Sequence, residues 1–155
     1  MKKVTLLLAS MLWLNLGDPS PPKDLKQEFQ SIRKQDENFY EPLTPKNVYW
    51  YLLRNDIRYA EIVFRQIIQE TGHFTSTLCT DSNNLFGMTH KVGYTYYSTW
   101  KKSVMAYKRW QERHIQQGRD LTDYYSFLNK IRYAEDPFYI YKLKAINVNQ
   151  YLDLK

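Results

Sequence analysis

Glu61-Ile62-Val63-Phe64-Arg65-Gln66-Ile67-Ile68-Gln69-Glu70-Thr71-Gly72 is the stretch on which the reading of this chain turns. Its apolar residues recur at helical spacing, and Gly72 supplies the left-handed residue that commonly closes a helix. The spacing predicts a helix from about Tyr59 to Thr71, with Tyr59, Val63, Gln66, Ile67 and Glu70 on its inward stripe. Two polar residues therefore continue an apolar face, although burying a carboxylate without a partner is costly. The helix C-terminus disfavours a charged Glu70 by only about 0.3 to 1 kcal/mol. Desolvation in a cleft lined by Phe74, Phe86 and tyrosines would act in the same direction and more strongly. Glu70 is thus a candidate general acid, held protonated near neutral pH. Taken alone, the same pattern also fits a solvated glutamate at a helix end.

Working outward, Asn83-Asn84-Leu85-Phe86-Gly87 reads as a turn able to face Glu70. A first helix is expected from Thr44-Pro45, a cap followed by a first-turn proline, to Asn55-Asp56. Between His73 and Thr99 no long helical period occurs. Tyr94-Thr95-Tyr96-Tyr97 is expected to be extended, giving one short hairpin with Lys91 to Gly93 near its tip. Ser98 or Thr99 caps the next helix, which carries Trp100, Val104, Tyr107, Trp110 and His114 on one side and stops at Gly118. A fourth helix is expected over Thr122 to Ile131, and a fifth from Asp136-Pro137 to about Val148.

Residues 1–17 have a different character. Lys2 and Lys3 precede an apolar run from Val4 to Leu16, and Gly17-Asp18-Pro19-Ser20-Pro21-Pro22 breaks any helix. This is the pattern of a signal peptide, and the run is shorter than the roughly 20 residues that span a bilayer. The expectation is export to the periplasm or cell envelope, with no stable membrane span after processing. Residues 18–43 read as a tether or peripheral helix, and residues 44–155 as one domain.

Without residues 1–17 the formal charge of +6 falls to +4, spread along the chain. That balance suits an anionic polymer or surface, while the absence of a basic run argues against nucleic acid as the partner. Cys79 is the only cysteine, so no internal disulfide forms. Fourteen tyrosines and four tryptophans supply large core side chains with polar tips, and rings of this kind also stack on the faces of sugars.

Other chemistry has less support. His73, His90 and His114 lack the spacing of a zinc site, nothing around Cys79 resembles a nucleophile motif, and no phosphate-binding glycine loop occurs. Neither a metal nor a cofactor is expected.

The order and spacing of three pieces resemble the glucosaminidase domain of bacterial autolysins and of flagellar muramidase-type proteins. They are Glu61 to Gly72, Asn83-Asn84-Leu85-Phe86-Gly87-Met88, and Tyr133-Ala134-Glu135-Asp136-Pro137-Phe138-Tyr139. Tyr97-Ser98-Thr99-Trp100-Lys101-Lys102-Ser103-Val104 also resembles the family's segment before its next helix. The resemblance covers about Thr44 to Ile146. It implies a mainly helical, lysozyme-like α+β fold, with five or so helices around a sugar cleft and one short β-hairpin. It further implies an endo-β-N-acetylglucosaminidase acting on the peptidoglycan glycan strand, cut after N-acetylglucosamine.

By position, Glu70 then matches the catalytic acid and Tyr133 stands near the catalytic centre. Gln66, Asn84, Phe86, Gly87, Tyr94 and Tyr139 are the expected substrate-binding residues. Many members of the family carry a second carboxylate on a longer hairpin, whereas here no Asp or Glu occurs between Asp81 and Glu112. Asp136 is the nearest motif acid for that role, though its place before a proline also suits a helix cap. Two routes need one protein carboxylate: hydrolysis assisted by the substrate's acetamido group, and the anhydro-forming reaction of lytic transglycosylases. A non-catalytic peptidoglycan-binding module is the alternative from a different class.

Overall fold

The computed structural model describes residues 41–115 and 123–152, all within one compact unit. The expected signal peptide, most of the tether, the Gly118 stop, Thr122 and residues 153–155 lie outside the described residues. In chain order the elements are helices α1 (Pro45–Arg54), α2 (Ala60–Glu70) and α3 (Thr77–Thr80), strands β1 (Thr89–His90) and β2 (Gly93–Tyr94), then helices α4 (Trp100–His114), α5 (Tyr124–Lys130), α6 (Tyr139–Ala145) and α7 (Asn149–Leu152). The fold is mainly helical, of the lysozyme-like α+β kind. Five helices have seven residues or more, and α3 and α7 are single turns.

Local chemistry accounts for most of the boundaries. Thr44 caps α1 by accepting from the Asn47 amide at 3.2 Å, with Pro45 in the first turn. At the end of α2, the His73 amide reaches the Ile68 carbonyl at 2.8 Å and the Gly72 amide reaches that of Gln69 at 3.3 Å. This is the Schellman closure expected of a left-handed glycine, and Gly72 has φ +53°. Thr99 and Asp123 cap α4 and α5.

The core is built on α2. Val63, Phe64, Ile67 and Ile68 are fully buried on it and pack with Val48, Tyr51 and Leu52 of α1 and Trp100, Val104 and Tyr107 of α4. At the domain's entrance, Glu41 pairs with Arg54 at 2.7 Å and with Lys101 at 3.1 Å, and its carbonyl accepts from Trp100 Nε1 at 2.9 Å.

The structure departs from the sequence reading in four places. The helix expected to stop at Gly118 ends at His114, where Ile115 is extended. Ser76 caps the single turn α3 with its hydroxyl, in a stretch too short to show a helical period. The paired part of the hairpin is Thr89 with Tyr94 and His90 with Gly93, so only Tyr94 of the expected extended piece is in the sheet. The fifth helix begins at Tyr139 rather than at Asp136-Pro137, because the Asp136 side chain accepts from the Phe138 amide at 2.9 Å and holds a turn there. It also ends early, at Ala145. The Arg65 guanidinium of α2 donates to the carbonyls of Leu143, Lys144 and Ile146, Ile146 is extended, and α7 follows as a separate turn.

Candidate active site

Three segments meet over the C-terminal end of α2 and enclose an open cavity of about 710 Å³. The turn Phe86-Gly87 with Met88, Thr89, Thr95 and Tyr97 forms one side. One face of α4, with Ala106, Arg109, Trp110, Arg113 and His114, forms another, and Ile131-Arg132-Tyr133-Ala134 closes the third. Glu70 is the carboxylate on this wall.

Glu70 is half-buried, and burial pushes its carboxyl above the ordinary range, opposed by a hydrogen bond from Tyr139. That bond runs from the Tyr139 hydroxyl to Oε1 at 2.8 Å. Oε2 points to Gly87, where an added Cβ would stand 3.4 Å away. Gly87 has φ +61°, a left-handed conformation that suits glycine, so the turn faces the acid at a position with no side chain. With Oε1 occupied by a donor, Oε2 is the oxygen free to carry a proton toward the cleft.

A continuous polar chain stands behind that contact. The Gln66 Nε2 group is 3.4 Å from the Tyr139 hydroxyl, and Gln66 Oε1 accepts from Tyr107 at 2.6 Å. The Tyr107 and Tyr124 hydroxyls are 2.8 Å apart, and Gln111 Nε2 lies 3.0 Å from Tyr124 and 2.9 Å from the Arg58 carbonyl. Tyr107 spends its one proton on Gln66, so Tyr124 donates to Tyr107 and Gln111 donates to Tyr124. The same sense carries on through Gln66 and Tyr139 to Glu70. Burial holds Tyr107, Tyr124, Tyr133 and Tyr139 above the ordinary tyrosine range, so each remains a neutral donor.

The residues singled out from the sequence divide between wall and support. Glu70, Phe86, Gly87 and Tyr133 line the cavity. The Tyr133 ring stacks at 5.8 Å on Tyr139 and meets Trp110 edge-on, while Phe86 stacks at 4.1 Å on Tyr107. Gln66 is fully buried behind Tyr139. Asn84 is buried as well, and its amide is used up inside the turn. Nδ2 donates to the Met88 and Thr95 carbonyls at 2.8 and 2.9 Å, and Oδ1 accepts from the Met88 amide at 3.0 Å. Tyr94 stands exposed on β2 and is not on the cavity wall.

Asp136 belongs to an adjoining cavity of about 500 Å³, with Glu135 and Tyr139, where Lys142 holds it at 2.6 Å. That hydrogen bond keeps its carboxyl below the usual range. Sequence reasoning did not single out Arg109, Arg113 and Arg132 as wall residues, nor Tyr124 and Gln111 in the chain behind. The first two show a weak signal, since they stand at i and i+4 on the flank of α4.

Residues 47–152 match the family model of glucosaminidase, described as mannosyl-glycoprotein endo-β-N-acetylglucosaminidase. The chain belongs to the glucosaminidase family. Membership gives the domain a glycoside hydrolase kind of activity and a glycan as substrate, and the matched span contains every wall residue of the cleft. No curated protein and no solved structure matches the chain. Among the described residues of this glucosaminidase domain, no cluster of His, Cys, Asp and Glu could hold a metal ion, and no helix is long and apolar enough to cross a membrane.

Proposed function

We propose that the protein is a peptidoglycan hydrolase, an endo-β-N-acetylglucosaminidase that cuts the glycan strand after N-acetylglucosamine with Glu70 as general acid. The observation that carries this reading is Glu70 itself, held toward its protonated form on the wall of a glycan-sized cleft, with Tyr139 on one oxygen and Gly87 opposite the other. Glu70 gives its proton to the glycosidic oxygen as the bond from that oxygen to the anomeric carbon breaks. The acetamido carbonyl oxygen of the same sugar then bonds to that carbon and forms a cyclic oxazolinium ion. Water adds to the carbon, its proton passes to the Glu70 carboxylate, and the acetamide is restored.

Tyr133, beside Glu70 on the wall, supports the developing positive charge or orients the acetamido group. This route fits a cleft whose wall carries one carboxylate among the described residues. The pattern of residues 1–17 supports export, which would bring the enzyme to the cell envelope.

Incubation with purified sacculi tests the reading. Wild type is expected to release soluble fragments ending in a reducing N-acetylglucosamine, and Glu70→Gln to release none. Anhydro-ended fragments would assign the lytic transglycosylase route, which needs the same single carboxylate. Retention on sacculi without release would make the domain a binding module.

A further inference from the structure

The arginines among the described residues divide by place. Outside the cleft each has a partner: Arg54 the carboxylate of Glu41 at 2.7 Å, Arg65 that of Glu61 at 2.8 Å, and Arg58 the ring of Tyr59. The guanidinium groups of the three that line the cleft, Arg109, Arg113 and Arg132, make no hydrogen bond or ion pair with a described residue. A guanidinium keeps its charge at any accessible pH. Glu70, the carboxylate of that wall, is shifted toward its neutral form. Of the acids nearby, Glu112 on α4 makes no ion pair with a described residue, and Glu135 and Asp136 line the neighbouring cavity, where Asp136 is held by Lys142.

The way these side chains are placed is unfavourable for the protein alone. Arg109 and Arg113 stand one turn apart on α4, about 6 Å along the helix axis, a spacing at which like charges repel. Arg132 closes α5 at the position where glycine is usual. Its amide reaches the Asn129 carbonyl at 3.1 Å, the Tyr133 amide reaches that of Leu128 at 3.0 Å, and Arg132 itself is left-handed, with φ +51°. A left-handed arginine is strained relative to glycine. Arg132 lines both the main cavity and the adjoining one.

Guanidinium groups that line a binding cleft with no ion-pair partner among the described residues suit a ligand that brings negative charge. A neutral amino-sugar polymer brings none. We propose that Arg109, Arg113 and Arg132 form a carboxylate-reading wall, which selects acid-bearing glycan strands over neutral ones such as chitin. The inference rests on the glycan-hydrolase reading above. Two sources supply the same chemistry: the free carboxylates of the peptide stems, and the lactyl carboxylates left where stems have been removed. Guanidinium suits both, because its fork of donors matches a carboxylate in the bidentate manner.

The test measures turnover by the full chain on sacculi with intact stems, strands stripped of stems by an amidase, the same strands with their lactyl carboxylates converted to amides, and chitin oligosaccharides. Wild type is expected to cut acid-bearing strands with a kcat/KM at least roughly ten-fold above that for amidated strands or chitin. The difference is expected to lie mainly in KM and to shrink as salt is added. Preference for intact over stripped strands assigns the stem carboxylates, and the reverse assigns the lactyl groups.

The combined variant Arg109→Gln, Arg113→Gln, Arg132→Gln is expected to lose the preference, whereas Lys46→Gln, an exposed charge on α1, keeps it. Arg132→Gly separates folding from recognition, since it is expected to raise Tm by relieving the left-handed strain and yet to weaken the preference. Equal efficiency of wild type on acid-bearing and amidated strands, or an unaltered preference in the combined variant, overturns the inference. If no strand is cut by any protein, the hydrolase reading fails separately, and equilibrium binding of stripped and amidated strands decides the inference, with equal affinities overturning it.

Discussion

The hydroxyl of Tyr139 donates to Oε1 of Glu70 at 2.8 Å, joining α6 to the last turn of α2 across sixty-nine positions of sequence. This bond favours the charged carboxylate, while burial favours the neutral one and outweighs it. Removing the donor in Tyr139→Phe therefore raises the Glu70 pKa further. The alkaline limb of the kcat/KM profile on sacculi fragments, along which the acid must stay protonated, is expected to move to higher pH, with a lower maximum because Oε1 loses its anchor. An unmoved limb would show that the bond does not govern the acid.

Glu70 also sets a pH dependence of stability. Its pKa is raised in the folded state, so the folded protein binds more protons than the unfolded chain between the two pKa values. The stability it contributes is present below the ordinary carboxylate range and is lost as pH rises through the folded pKa. Glu70→Gln is expected to be inactive yet to melt above wild type at pH 7, with the gap closing as the pH is lowered below that range. Thermal melts of both proteins across this interval check the sign.

Tyr107 is the joint of the buried chain, donating to Gln66 and accepting from Tyr124. In Tyr107→Phe, Gln66 Oε1 and the Tyr124 proton are left without partners in the interior, at a cost of about 1 to 3 kcal/mol each if unrelieved. Denaturant titration is expected to show that loss. Gln66, released from Tyr107, no longer fixes Tyr139, so kcat is expected to fall several-fold with little change in KM.

Gly87→Ala acts through space rather than through a hydrogen bond. The new Cβ would sit 3.4 Å from Glu70 Oε2, where the oxygen of the scissile bond must approach, and a left-handed alanine costs about 1 to 2 kcal/mol. Turnover of sacculi is expected to drop by more than the Tm shift accounts for. Full activity in this variant would place the scissile bond elsewhere.

Much of the site's frame was legible in the chain because it is written in local rules. The spacing through Val63, Gln66, Ile67 and Glu70 and the closing Gly72 located α2 and set the acid on its last turn. Phe86-Gly87 announced a turn, and its φ of +61° shows why glycine stands there. The end of α6 was less legible. Its carbonyls are taken by Arg65, some eighty positions away, and no local pattern records that contact.

Asn84 shows the same limit from the other side. Its type and place mark a residue of consequence, but whether its amide faces the cleft or the turn depends on the carbonyls of Met88 and Thr95, which the fold brings to it. By itself, then, the sequence determined the longer helices in outline, the Phe86-Gly87 turn and the position of Glu70, because periodicity, caps and left-handed residues act over a few positions. Only the tertiary structure decided which oxygen of Glu70 is free, how Gln66 and three tyrosines orient it, and that Arg109, Arg113 and Arg132 line one cavity. Each of these depends on groups from separate helices and loops meeting at hydrogen-bonding distance or around one cavity.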